Sequence, residues 1–113
     1  MVNPDLELAR RAVACKHWRW MPGMVAGGGG RRVRSKRTGG PPYKGAIPDL
    51  TDPATLGCLL ALVREACGDP WIRVEPGSRG WYCIHSRPPA GGGIPGNGET
   101  EAAALVAALE AAP

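Results

Sequence analysis

Asp49–Gly68, DLTDPATLGCLLALVREACG, is the stretch on which the fold turns. Asp52 offers a side-chain acceptor to the free amides of a first helical turn, with Thr51 as the weaker alternative. Pro53 suits the first helical position, where no amide donor is needed. Leu56, Leu59, Leu60, Val63 and Cys67 follow at offsets 0, 3, 4, 7 and 11, an apolar stripe of helical period. Gly68 supplies a stop and Asp69-Pro70 prevents continuation. The spacing predicts a helix over about residues 53–67, and this is expected to be the main core helix.

On the C-terminal side, Trp71–Glu75 and Trp81–Ser86 flank Pro-Gly-Ser-Arg-Gly and read as a hairpin. Alternation puts Ile72 and Val74 on one face, and Trp71, Arg73 and Glu75 on the other. In the second strand Tyr82 and Ile84 share a face, opposite Trp81, Cys83 and His85. Large side chains on both faces predict a sheet that is either covered twice or binding something on one side. RPPAGGGIPGNG, residues 87–98, reads as a Gly/Pro-rich loop. Thr100 then caps an alanine-rich helix over about 101–111, with Ala102, Leu105, Val106 and Leu109 as its stripe.

On the N-terminal side, Asn3-Pro4 starts a helix over about 4–15, with Leu6, Ala9 and Val13 on its apolar face. Trp18–Val25 reads as a short strand weakened by Pro22 and Gly23, and Tyr43–Ile47 as another. Between them lies a basic, glycine-rich segment at 26–42 that is expected to be flexible and dispensable for folding. The predicted order is α-β-β-α-β-β-α. This is an α/β or α+β sandwich of about four strands and three helices, in a single domain spanning residues 1–113.

The net charge is +4, yet Arg31, Arg32, Arg34, Lys36 and Arg37 alone contribute +5, leaving −1 for everything else. The protein therefore carries a local cationic patch rather than a generally basic surface. Cys15, Cys58, Cys67 and Cys83 lack paired close spacing and read as free thiols of a reducing cytosol. Pro4, Asp5 and Glu7 stand where a secretory leader would be cationic and then apolar, and no apolar run approaches the ~20 residues of a membrane helix.

Four features resemble small bacteriophage and prophage accessory proteins, in particular those with the phage ABA-sandwich domain. They are Trp18-Arg19-Trp20 followed by Pro22, the segment from Asp49 to Ala66, the strand around Trp81, and the Thr100-Glu101-Ala102 start of an Ala/Leu helix. The resemblance implies a sheet between helical layers, a phage origin and a place in the host cytoplasm, and it supplies no catalytic residues. The basic segment departs from the family pattern. For accessory phage proteins as a class, the resemblance suggests a role against host defence.

Arginines on a glycine-rich backbone can hold phosphates through amides and bidentate guanidinium contacts. The Gly-Lys-Ser/Thr ending of a P-loop is missing. The bland alternative is a solvated charged loop. Trp18 and Trp20 share a face if the segment is a strand, with Arg19 pointing away, as core residues or as a base-stacking platform. Trp71 and Trp81 could complete an aromatic pocket from one face of the hairpin, and Arg19 and Arg73 are further ligand-binding candidates. Cys15-Lys16-His17 and Cys83-Ile84-His85 repeat a Cys-x-His spacing that could supply zinc ligands, with buried thiols as the simpler reading. No nucleophile elbow or acid–base pair is evident, so neither catalysis nor a cofactor or metal is expected. The leading expectation is a phage-encoded anti-defence protein that sequesters a host signalling nucleotide without turnover, as a homo-oligomer. A protein-directed, anti-CRISPR-like inhibitor of a host defence complex is the alternative, and direct nucleic-acid binding ranks third.

Overall fold

A computed structural model describes residues 4–27, 32–33, 41–85 and 95–113. It is an α+β fold of three helices and one three-stranded antiparallel sheet, in the order α1 (Pro4–Ala14), α2 (Pro53–Cys67), β1 (Arg73–Gly77), β2 (Gly80–Ile84), β3 (Gly96–Gly98) and α3 (Glu101–Ala111).

The helices form where local chemistry asks for them. In α2 the Asp52 carboxylate accepts from the Thr55 amide, Pro53 fills the first turn, and Gly68 closes the helix at φ 66°. The Gly68 and Asp69 amides donate back to Glu65 and Arg64 carbonyls, which satisfies the last turn. In α3 the Thr100 side chain accepts from the Ala103 amide. The α2 stripe is rotated from the expected one: Thr55, Leu59, Leu62 and Val63 are buried, and Leu56, Leu60 and Cys67 lie half-buried at its margin. In α1, Leu8, Ala9 and Ala12 are buried, with Leu6 and Val13 at the edge.

The expected pair of strands ahead of α2 does not form. Residues 18–25 and 43–47 are irregular, and isolated bridges, Val25 with Arg32 and Ala26 with Pro48, stand in their place. Pro22-Gly23 and Gly45, both glycines at positive φ, interrupt the chain before a ladder can extend. The third strand instead comes from Gly96–Gly98, inside the stretch expected to be a loop, and it pairs with β2 through Trp81–Gly98, Tyr82–Asn97 and Cys83–Gly96. In the hairpin, β1 pairs with β2 from Arg73–Ile84 to Gly77–Gly80 around Ser78-Arg79.

The centre of the molecule is α3 rather than α2. It packs on all three strands and on both other helices, and Ala102, Ala104, Leu105, Val106, Ala108 and Leu109 are buried. Its small residues let the sheet come close. A Cβ on Gly96 would stand 2.4 Å from the Ala108 amide nitrogen and 2.5 Å from the Ala104 carbonyl oxygen. The helix-facing row of the sheet is therefore Gly96, Gly98 and the fully buried Cys83, together with Val74 and Trp81, which pack on the core. The opposite row carries Arg73, Glu75, Tyr82, Ile84 and Asn97, with Arg73 and Asn97 exposed. The helices thus meet the sheet through α3 on one face, which differs from the sheet between two helical layers that the resemblance implies.

Candidate binding surface

The cationic segment is rooted at the start of α2. Arg32 donates to the Gly23 carbonyl at 2.5 Å and reaches both Asp52 oxygens at 3.3 Å. Asp52 in turn accepts from the Thr55 amide and hydroxyl, each at 2.9 Å. Thr55 passes the network inward, its buried hydroxyl accepting from the Val25 amide at 2.9 Å. The Arg32 guanidinium, followed by the Thr55 amide, holds the Asp52 carboxyl below its ordinary pKa. Beside Arg32, Val33 is buried in the core and exchanges backbone hydrogen bonds with Gly23 and Met24. The stretch expected to be dispensable thus contributes a core residue and an anchoring ion pair. Arg31, Arg34, Lys36 and Arg37 lie outside the described residues.

Trp18 and Trp20 touch edge to face, with centroids 5.5 Å apart and planes at 87°. Trp20 is buried, and Trp18 packs half-buried against the core. The Trp18 indole N–H is buried and has no hydrogen-bond partner among the described residues. Arg19 points away from the pair and binds both Glu65 oxygens, at 2.8 and 2.7 Å. That contact lowers the Glu65 pKa and raises that of Arg19. The segment is therefore clamped to α2 by an exposed fork of two hydrogen bonds, and its rings serve packing.

The hairpin tryptophans part company. Trp81 lies half-buried on the α3 side, whereas Trp71 is 72% exposed just ahead of β1. Arg73 pairs with Glu75 at 3.1 Å on the open face. Trp71 and Trp81 therefore do not share the hairpin face on which the expected aromatic pocket depends.

Sequence reasoning also missed a polar pair at the end of β2. His85 at the end of β2 meets Asp69, after α2, at 2.8 Å. Asp69, expected only to make a turn, also accepts from the Trp71 amide at 3.0 Å. His85 lines an apolar cavity of ≈ 250 Å³ together with Cys67, Pro95, Ala108, Ala111, Ala112 and Pro113. A thiol, an imidazole and a carboxylate are the components of a nucleophilic site. Burial and then Asp69 push the Cys67 thiol up, however, which opposes formation of a thiolate. Cys83 is raised further, to about 11, mainly by burial. Cys15 donates to the Leu109 carbonyl at 3.5 Å, and His17 meets the Ala112 carbonyl at 3.3 Å. Among the described residues, no three His, Cys, Asp or Glu side chains are placed to hold a metal ion.

Between the starts of α1 and α3 is a larger groove of ≈ 360 Å³, lined in part by Asp5, Glu7, Arg11 and Glu99. Its acidity has a structural cause. Arg11 bonds Glu110 near the other ends of the same helices, so α1 and α3 run parallel and their N-terminal dipole ends lie together, where carboxylates are favoured.

No family model, curated protein or solved structure matches the chain. No helix among the described residues is long and apolar enough to cross a membrane.

Proposed function

We propose that this is a non-catalytic binding protein that captures a phosphate-bearing ligand of the nucleotide class through the cationic segment 31–37. The observation that carries the reading is the anchoring of Arg32 at the start of α2. This fixes the second of the five cations beside the start of α2, where Asp52 pairs with it and caps the helix, and the reading assigns the ligand to Arg31, Arg34, Lys36 and Arg37. Outside the run the chain sums to −1, so anion affinity is concentrated there. The phage setting suggested by the resemblance would make the ligand a host defence signal, sequestered in the host cytoplasm without turnover.

Thermal melts against a panel of cyclic, linear and ADP-ribose-type nucleotides test this. A ligand held tightly enough for sequestration raises the Tm at ~100 Kd by the equivalent of about 2.7 kcal/mol. The shift should vanish when Arg31, Arg34, Lys36 and Arg37 are replaced together by Gln. A flat panel overturns the reading. The dispersal of the tryptophans favours the protein-directed inhibitor as the second reading, because the one highly exposed indole, Trp71, stands alone and suits a protein hot spot better than base stacking. Affinity capture from host lysate separates the two, since a stoichiometric protein partner is expected only for the inhibitor.

A further inference from the structure

Asn97 and Gly98 are consecutive residues of β3, an edge strand of the sheet. Asn97 is exposed, on the face away from α3. An asparagine followed by glycine is open to attack by its own backbone, because no Cβ shields the next nitrogen. The Gly98 nitrogen adds to Cγ of Asn97. The Cγ–Nδ2 bond breaks, and ammonia leaves with the Gly98 amide proton. Solvent water then opens the cyclic imide at either carbonyl. One product is aspartate. The other is isoaspartate, in which the main chain runs through the former side chain. We infer that Asn97 is a self-modification site held in check by the β3 ladder, and that isoaspartate formed there releases β3 from α3 for good.

The ladder supplies the restraint. Closure of the hairpin at Gly77–Gly80 directs the Tyr82 amide toward β1 and those of Trp81 and Cys83 toward β3. Gly98 stands opposite Trp81, so its N–H donates to the Trp81 carbonyl. Ring closure also needs Cβ and the Gly98 nitrogen eclipsed about the Asn97 Cα–C bond, which extended backbone excludes. The reaction therefore passes through an opened β3. That opening is local, because three residues paired on one side hold the strand in the sheet.

The isoaspartate product cannot return to its place. It inserts an extra carbon into the main chain between Gly96 and Gly98. Both glycines lie where α3 leaves no room. A Cβ on Gly96 would stand 2.5 Å from the Ala104 carbonyl oxygen, and one on Gly98 would stand 2.8 Å from the Ala104 amide nitrogen. The lengthened strand can keep register with Trp81 or with Cys83, but not with both while it touches α3. The aspartate product leaves the main chain unchanged and its side chain in solvent, so β3 accommodates it.

Ageing the purified protein at mildly alkaline pH tests the inference. Peptide mass spectrometry follows loss of Asn97, and enzymatic methylation follows isoaspartate. The chain unfolded in urea should convert about tenfold faster or more than folded wild type. Gly96→Ala, which forces β3 off α3, should accelerate the folded reaction by about tenfold or more. Ala103→Val, which crowds Gly98 from a half-buried position, replaces it if Gly96→Ala does not fold. Arg32→Ala, at the start of α2, should leave the rate unchanged. Asn97→Asp should melt like wild type. The isoaspartate form, separated by chromatography, should melt lower and exchange its Trp81 and Cys83 amide protons faster. Folded wild type that converts as fast as the unfolded chain overturns the inference. So does a β3 variant that reacts no faster, an Arg32→Ala that reacts as fast as the β3 variant, or an isoaspartate form with wild-type melting and exchange.

Discussion

Gly96 shows how a single missing methyl group sets a distance. Its absent Cβ is what allows β3 to lie on α3, with the Ala104 and Ala108 backbones at less than contact distance from where that carbon would be. Backbone cannot move aside as a side-chain tip can, so Gly96→Ala is expected to destabilise the fold by about 3 kcal/mol, measured by urea denaturation. Nothing in the local sequence announces this, because Gly-Asn-Gly reads as a turn. The charged residues of the candidate site were partly legible. Arg73 and Glu75 lie on the face that alternation assigned to them. The partners of Arg19 and Arg32 are Glu65 and Asp52, which lie 46 and 20 residues away, and contacts that distant leave no trace in spacing or periodicity.

At the scale of elements, the three helices were readable because caps and apolar period are local properties. Asp52, Thr100 and the glycine at 68 act where a sequence reading puts them. The weights of the helices were not readable. A continuous leucine stripe suggested that α2 organises the core, yet α3 has that role because it is buried on nearly every side. Alanine is a weak hydrophobic signal but a strong requirement when three strands and two helices must share one helix as neighbour. Leu105 is fully buried and Leu60 half-buried. Leu105→Ala should therefore cost about 3 kcal/mol and Leu60→Ala about 1 kcal/mol in matched chemical denaturation. Equal losses would mean that Leu60 is as fully buried as Leu105.

For the molecule as a whole, part of the length between α1 and α2 that reads as loop belongs to the packed structure. Residues 26–27 and 32–33 are held by bridges and by a buried Val33, although their composition reads as a loop insertion. Deleting 27–40 removes Val33 from the core and Arg32 from Asp52. A loss of ~2 kcal/mol from the valine alone corresponds to a Tm drop of about 10 °C for a domain of this size. Thermal melts should show most of that drop again in Arg32→Ala/Val33→Ser. An unchanged Tm in the deletion would mean that Val33 and Arg32 contribute nothing to stability.

The close approach of β3 to α3 also bears on kinship. Gly96 and Gly98 have no room for a Cβ, because the backbone of Ala104 and Ala108 and the Cβ of Ala103 stand where it would be, and Ala104 and Ala108 are themselves fully buried. Surface charges, the cationic run and even the leucines of α2 can drift while this spacing persists. A chain descended from the same ancestor should therefore betray itself less by overall similarity than by a Gly-x-Gly followed, five and six residues after its second glycine, by two alanines and then a third one helical turn later. That pattern is a geometric fingerprint by which distant relatives could be sought.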